Sequence, residues 1–387
     1  MDFGLLVIDE GHHEVADSYQ LVLDWYKKNP DLKVLLTTAT ATRGDGIGLA
    51  NVCDSVAYRM DSRKAIHEGW LVPIRQRFVK VNNLDLTRVS TKADGDFSDG
   101  ELERAFLGTT SVEEEKLLHS IAAPVIEEAD GKPILVFAAG VEHAEKLCCA
   151  FNAYLGIHAE FVVGKTDKKD RAKIIARYKT GETQVLIGCG VFCEGFDAPS
   201  TSVVAIARPT KSKTLAEQMI GRGTRALPGI VDGPETSVER REAIAGSDKQ
   251  SCVVLDFIGD SGRHQLVSTA DLLAGKDVDP VDLESAIQAA VEAGESVDME
   301  EMISQAKQER EDQERHQLVT RHRAERVDYT VTEIDPFAET RFDIPKDAAR
   351  EFRPVHSGVI PRATVKQVAY LIDLGVPEVT ATSYTKA

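Results

Sequence analysis

Apolar and polar positions along this chain follow two different periods. Short apolar runs, several of them continuous rather than alternating, lie at 5–9 (LLVID), 33–40 (KVLLTTAT), 73–81 (PIRQRFVKV), 133–139 (PILVFAA), 159–164 (AEFVVG), 184–190 (QVLIGCG), 202–208 (SVVAIAR) and 252–258 (CVVLDFI). Runs of this length that do not alternate suit parallel strands covered on both faces. Between them lie amphipathic stretches with helical spacing, such as VEHAEKLCCAFNAYLG (141–156) and DKKDRAKIIARYKTG (167–181), the second ending on a glycine as a helix C-cap does. Strand–helix alternation predicts an α/β sheet with right-handed crossovers. The pattern changes near residue 270. Residues 298–327 combine good helix formers with mixed charge and contain no Gly or Pro, which predicts one long, largely solvated helix. Residues 330–361 carry prolines and read as an extended linker, and TVKQVAYLIDLGV (364–376) reads as one amphipathic helix of a small module.

Composition narrows the class. With 387 residues there is room for two or three domains. No apolar run is long enough to span a membrane, and the N-terminus lacks the basic region of a signal peptide, so the cytoplasm is the default location. The six cysteines show no CxxC pair and are expected as reduced thiols rather than a zinc site or a disulfide framework. A net charge of −17 argues against a surface that binds nucleic acid everywhere, but leaves room for a local basic groove. Much of the excess acid, including ADGDFSDGELE (93–103) and the stretch 277–315, is expected to lie away from the chemistry-bearing segments.

Those segments begin with VIDEGHH (7–13). A strand ending in Asp9 and Glu10 places two carboxylates at the carboxyl edge of a parallel sheet, where such folds bind ligands. One can hold Mg²⁺ and its neighbour can orient a water on a γ-phosphate, with His12 free to bond across to another domain. An exposed acidic turn would look the same. Thr38 and Thr40 follow a second strand and can bond to a neighbouring acidic loop. In CEGFDAPS (193–200), Gly195 permits a positive-φ turn that carries Asp197. Arg208, Thr210 and Ser212 suit a phosphate backbone, or simply the cap of the next helix. The segment EQMIGRGTR (217–225) is the most telling. On a helix it would bring Gln218, Arg222 and Arg225 to one side and project two guanidinium groups into a cleft, where they neutralise charge on a transferring phosphoryl group.

Taken in order, VIDEGHH, TTAT, ILVFAAGVEHAEKL, GFDAPS…VAIARPTKS, QMIGRGTR and CVVLDFIGD resemble motifs II to VI of superfamily-two DExH helicases, nearest to the RadD and restriction-subunit-like branch. The resemblance covers roughly residues 3–260. It implies an α/β architecture of RecA-like parallel-sheet domains: part of a first, ATP-binding domain (1–65), a complete second motor domain (66–270), a charged helical extension (271–329), and a linker with a small C-terminal module (330–387). It implies ATP and Mg²⁺ as cofactors, with Asp9 as the metal ligand, Glu10 as the water-orienting base, and Arg222 and Arg225 as arginine fingers. His12 and Gln218 would couple the domains, and Gly195 and Asp197 would sit near the nucleotide. Thr38 and Thr40 would link hydrolysis to strand movement, and Phe137 with the loop after it, Arg208 and Thr210 would face the nucleic acid.

Two departures stand out. Gly11 replaces a more usual Ala or Cys, and the phosphate loop is missing. The near miss at 159–166, AEFVVGKT, lacks its first glycine and falls inside the second domain. The resemblance therefore implies a chain that opens partway through the first motor domain, with a C-terminus cut as well, and no ATPase activity from this chain alone. Its partner would be DNA, favoured over RNA, with no membrane contact. The alternative is a non-catalytic binding module complementing a separately encoded ATP-binding half. A restriction-type motor subunit, with a nuclease partner, is a third reading.

Overall fold

In the computed structural model, residues 3–9, 11, 17–26, 28–29, 31–38, 54–93, 95–193, 195–259, 266–274 and 278–324 are described. Each of the eight apolar runs forms a strand, as its pattern predicts. The first two build a small sheet. Strand β1 (Leu5–Ile8), helix α1 (Asp17–Tyr26) and strand β2 (Lys33–Leu36) form one parallel crossover, with Leu5 opposite Lys33 and Ile8 opposite Leu36. Leu23 of α1 is buried, but Leu5, Val7, Leu21, Val22, Trp25 and Leu35 remain exposed.

The remaining elements form the larger body. They run α2 (Ser62–His67), β3 (Ile74–Lys80), α3 (Asp99–Leu107), α4 (Ser111–Ala129), β4 (Ile134–Ala138), α5 (Val141–Asn152), β5 (Ala159–Val162), α6 (Lys168–Thr180), β6 (Val185–Gly188), β7 (Val203–Ala207), α7 (Lys213–Gly221), α8 (Ser237–Ala245), β8 (Cys252–Ile258), α9 (Thr269–Ala274), α10 (Pro280–Ala293), β9 (Val297–Asp298) and α11 (Met299–Ala324). The sheet order is β5-β6-β4-β7-β8-β3-β9, parallel throughout except for β9, which runs antiparallel to β3. Strands β4, β6 and β7 are buried along their whole length, which explains why their sequences do not alternate.

Local signals fix the helix ends. Asp167 accepts from Lys169 N to open α6, and Gly181 closes it at φ +82°. Thr236 and Glu239 form a reciprocal capping box on α8. Pro280 follows the Asp279 cap of α10, a position where a missing N–H costs nothing. The long charged helix appears as α11, with Met299 and Ile303 buried near its start. Residues expected to form only an extension thus add an edge strand, and Ile287, Ala290, Met299 and Ile303, to the core of this sheet. Arg310 of α11 clasps Asp282 of α10 through two bonds, 2.6 and 3.0 Å. The expected linker and terminal module, 330–387, lie outside the described residues. Among the described residues no disulfide occurs, and no helix is long and apolar enough to cross a membrane.

Candidate functional site

Asp9 leaves the carboxyl end of β1 and accepts a hydrogen bond of 2.8 Å from the Thr37 hydroxyl, just past β2. The backbone holds the two together: Thr37 N donates to Ile8 O at 2.9 Å and Gly11 N to Thr37 O at 2.8 Å. A Cβ on Gly11 would press on Leu36 Cβ at 3.0 Å, so the small residue here matches a tight approach. Sequence reasoning named Thr38 and Thr40 as the hydroxyls of this corner and missed Thr37, whose hydroxyl donates to the carboxylate. Glu10, His12 and Thr40 lie outside the described residues.

The arginine segment corrects the expectation of one continuous helix. Helix α7 stops at Gly221, and Arg222 is its C-cap. Gln218 stays half-buried on the helix, but Arg225 lies beyond it, in an antiparallel bridge with Leu71. The glycines decide this. Gly223 sits so close to Cys252 Sγ and Val204 that no side chain fits, its Cβ falling 2.6 Å from Val204 Cγ2, and the chain turns there instead of winding on. Arg222 does not project into a cleft. Its Nη1 donates to Phe196 O at 2.8 Å and its Nη2 to Cys193 O. Arg225 is the exposed arginine, and its Nη1 donates to Asp197 Oδ1 at 2.6 Å. Gly195 takes φ +65°, the left-handed turn expected of it. The GFDAP loop and the arginine turn are therefore one unit, cross-linked by both arginines.

This unit lies at the amino edge of the sheet. Thr224 O accepts from Val72 N, just before β3, and Lys249, just before β8, donates through Nζ to Pro199 O at 2.6 Å and Arg225 O at 2.7 Å. The expected strand-facing residues cluster at the opposite, carboxyl edge, after β4 and β7. Parallel strands of five residues rise about 3.3 Å per residue, so roughly 16 Å of β7 separates the two groups.

At the carboxyl edge three expectations need correction. Phe137 is 2% exposed, because its strand β4 is flanked by β6 and β7 and buried along its whole length, and it belongs to the core. Thr210 is 1% exposed, and its hydroxyl is used by Ser212 N at 3.0 Å. The acidic stretch 93–103 is not remote from the motifs. Asp96 accepts from Lys211 N at 2.9 Å and from Arg208 Nη1 at 3.4 Å, and Asp99 accepts from Arg208 Nη2 at 2.6 Å. The Lys211 ammonium stands 4.6 Å over the Phe97 ring. Glu103, from the same segment, accepts from Glu142 N at 2.8 Å and His143 N at 3.1 Å, donors in the first turn of α5, just past the loop that follows Phe137. Three carboxylates of one segment thus occupy cationic and N–H groups along this edge, a relation that no local sequence pattern signals. Behind them, His143 is fully buried, stacks on Phe106, and takes the Ala139 N–H on Nδ1. Burial pushes its pKa down to about 3, so it is neutral.

Residues 114–227, which run from within α4 to the arginine turn, match the family described as the helicase conserved C-terminal domain. The chain carries the C-terminal domain of the superfamily-two helicase family. Among similar proteins are IRC3 of Saccharomyces cerevisiae and the mitochondrial irc3 of Schizosaccharomyces pombe, both named as candidate ATP-dependent helicases. Each is 32% identical over 73% of this chain, but the chain spans only 37% and 42% of their lengths. Protein B of the UvrABC system from Bifidobacterium longum subsp. infantis is 28% identical over 36% of this chain and 22% of its own. A type ISP restriction-modification enzyme, LlaBIII bound to DNA, shares 16% identity over 67% of this chain and 22% of its own, with a TM-score of 0.41. The matched residues supply strands β4, β5, β6 and β7 of the seven-stranded sheet. β1 and β2 contribute one parallel pair with the Asp9 corner at its carboxyl end.

Proposed function

We propose that this chain is the C-terminal part of an ATP-dependent DNA helicase or translocase, and that the loop–arginine unit at the amino edge is its nucleotide-facing wall. The observation that carries this reading is the joining of Asp197, Arg222 and Arg225 into one braced surface, with Arg225 left exposed. A half-exposed arginine whose side chain is tied, among the described residues, to one carboxylate can exchange it for a phosphate. A guanidinium then neutralises charge that grows on the transferring group. Asp9 fits a role at the metal. It is an exposed carboxylate at a strand end with one oxygen steadied by Thr37, and Mg²⁺ is commonly held by one or two carboxylates plus substrate phosphates. Bound there, Mg²⁺ would neutralise charge on the phosphates of ATP. Glu10, next in sequence, is assigned the orientation of water, and His12 and Gln218 the signalling between domains. DNA, rather than RNA, is assigned to the carboxyl edge near Arg208.

The phosphate-loop signature does not occur within the 387 residues, so turnover is expected only when that part is supplied. The test is binding of a fluorescent ATP analogue, and DNA-stimulated hydrolysis, by the chain alone and by the chain joined to a phosphate-loop segment. Hydrolysis in the joined form, lost in Glu10→Gln and Arg225→Ala, supports the reading. Turnover by the chain alone, or turnover indifferent to Arg225, overturns it.

A second reading has its own observation. The β1–α1–β2 unit leaves Leu5, Val7, Leu35 and Trp25 exposed, which favours a partner module docking on a separately encoded ATP-binding half. Binding to such a half without any gain in hydrolysis would favour it over the first.

A further inference from the structure

We infer that Lys249 is a positioning residue for Arg225: its ammonium ties the Pro199 carbonyl to the Arg225 carbonyl and so holds the arginine turn in register with the Asp197 loop. The consequence for hydrolysis rests on the reading of Arg225 given above; the tie itself does not.

Lys249 is 2% exposed. Its Nζ makes two short bonds, to Pro199 O and Arg225 O, and no carboxylate pairs with it among the described residues. A buried ammonium with no counter-charge is an expensive choice, since a methionine would fill the same space without desolvating a charge. What the ammonium supplies is three donors on one atom, enough to bind carbonyls from two segments that are far apart in sequence. Bonds from a charged donor are roughly twice as strong as neutral ones. The other links between these segments are weaker or point elsewhere. The Arg225–Asp197 pair is about half-exposed on both sides, and water competes for it. Arg222 reaches the front of the loop, at Cys193 and Phe196. Lys249 grips the back of both segments, where Pro199 leaves the loop and Arg225 leaves the turn.

The groups around this ammonium are few. Cys252 faces it from β8, and burial pushes that thiol up to about 12, so it stays neutral. Asp197 and Arg225 are paired with each other, and Asp248 on Lys249's own loop is exposed. Burial lowers the Lys249 ammonium to about 8. The tie therefore weakens as the pH rises through that value.

The experiment is amide hydrogen exchange on the full chain between pH 7 and 9.5, corrected for intrinsic rates, following residues 195–200 and 222–227. In the native chain both segments should open together, several-fold, with a midpoint near pH 8, while β4 and β7 stay protected. Lys249→Met should show the open rates already at pH 7 and no midpoint. Lys249→Arg keeps the charge and the donors but does not titrate here, so it should stay closed at both ends of the range. If the Met variant does not fold, the native midpoint and its loss in the Arg variant decide the matter. A folded Met variant with native exchange, a rise in one segment only, or a midpoint that survives in either variant overturns the inference. In the joined form that hydrolyses ATP, Lys249→Met should lower kcat several-fold with KM little changed. A loss in Arg225→Ala without one in Lys249→Met removes Lys249 from the reaction. A loss in neither removes the nucleotide reading and leaves the exchange result standing.

Discussion

Arg208 holds Asp99 at 2.6 Å, so a guanidinium suited to a phosphate backbone already carries a carboxylate of its own chain. A DNA strand reaching this edge has to displace that carboxylate. Asp99 is exposed, and ion pairs open to water contribute about 0.2–1 kcal/mol. Asp99→Asn should therefore tighten single-stranded DNA binding by roughly two- to five-fold at low salt, a gain that fades as salt rises. Fluorescence anisotropy at two salt concentrations checks this. Equal Kd values for the native and Asn chains would mean that Arg208 serves only the packing of the 90–107 segment.

His143 makes stability depend on acid. In the folded chain burial holds its pKa at about 3, below the ordinary 6.5 of the unfolded chain. The unfolded state therefore binds the proton first, and stability rises with pH across that window. It is lost as pH falls from 6.5 toward 3, at about 1.4 kcal/mol per unit, or about 2 kcal/mol by pH 5. Urea titrations at pH 7 and pH 5 measure it. His143→Phe, which keeps the stacking on Phe106, should flatten that part of the dependence.

The two glycines of the arginine segment should behave oppositely. A Cβ at Gly223 meets Val204 and the Cys252 sulfur, so Gly223→Ala should destabilise by about 1–3 kcal/mol through overpacking. At Gly221, in the last turn of α7, a Cβ meets nothing within 4 Å. Gly221→Ala should be neutral or stabilise by up to about 1 kcal/mol from helix propensity. Thermal melts of both variants compare them directly, and a similar drop in both would contradict the packing described.

Arg240 should announce its loss spectroscopically. Its guanidinium lies 3.9 Å from the centre of the Trp70 ring and donates to Glu68 O at 2.8 Å and Glu235 O at 3.0 Å, binding α8 to the end of α2. Arg240→Ala removes the stacked cation and leaves those carbonyls short of a donor, at a cost of about 2 kcal/mol. Trp70 emission should shift along with the melting temperature. A shift without a change in stability would show that the stack is ornamental to the fold.

The sequence made much of this legible, and physics says why. Continuous apolar runs announced β4, β6 and β7, because a strand buried on both faces has no polar positions to hide, while β3 alternates in burial. Gly195 announced its left-handed turn, and the 298–327 pattern announced α11. What stayed illegible was long-range pairing. Nothing near Arg208 says that Asp96 and Asp99 will close on it, and nothing near Lys249 says that it will reach Pro199 and Arg225. Nor could the helical spacing of Gln218, Arg222 and Arg225 reveal that the chain turns at Gly223, since Cys252 and Val204, which force the turn, come from other strands. Phe137 and Thr210 were read as surface groups from their motif positions, and a buried central strand and a tight turn took them inside.

The placement of the two clusters at opposite ends of β7 has a mechanical meaning. β7 and the helix that returns beside it make a stiff strut, gripped by Arg208 at one tip and by Arg225 at the other. A lean of a few degrees at one tip displaces the other by on the order of 1 Å over such a length. A push delivered at the basic tip would therefore arrive at the far arginine as tilt, without any side chain along the way having to change rotamer.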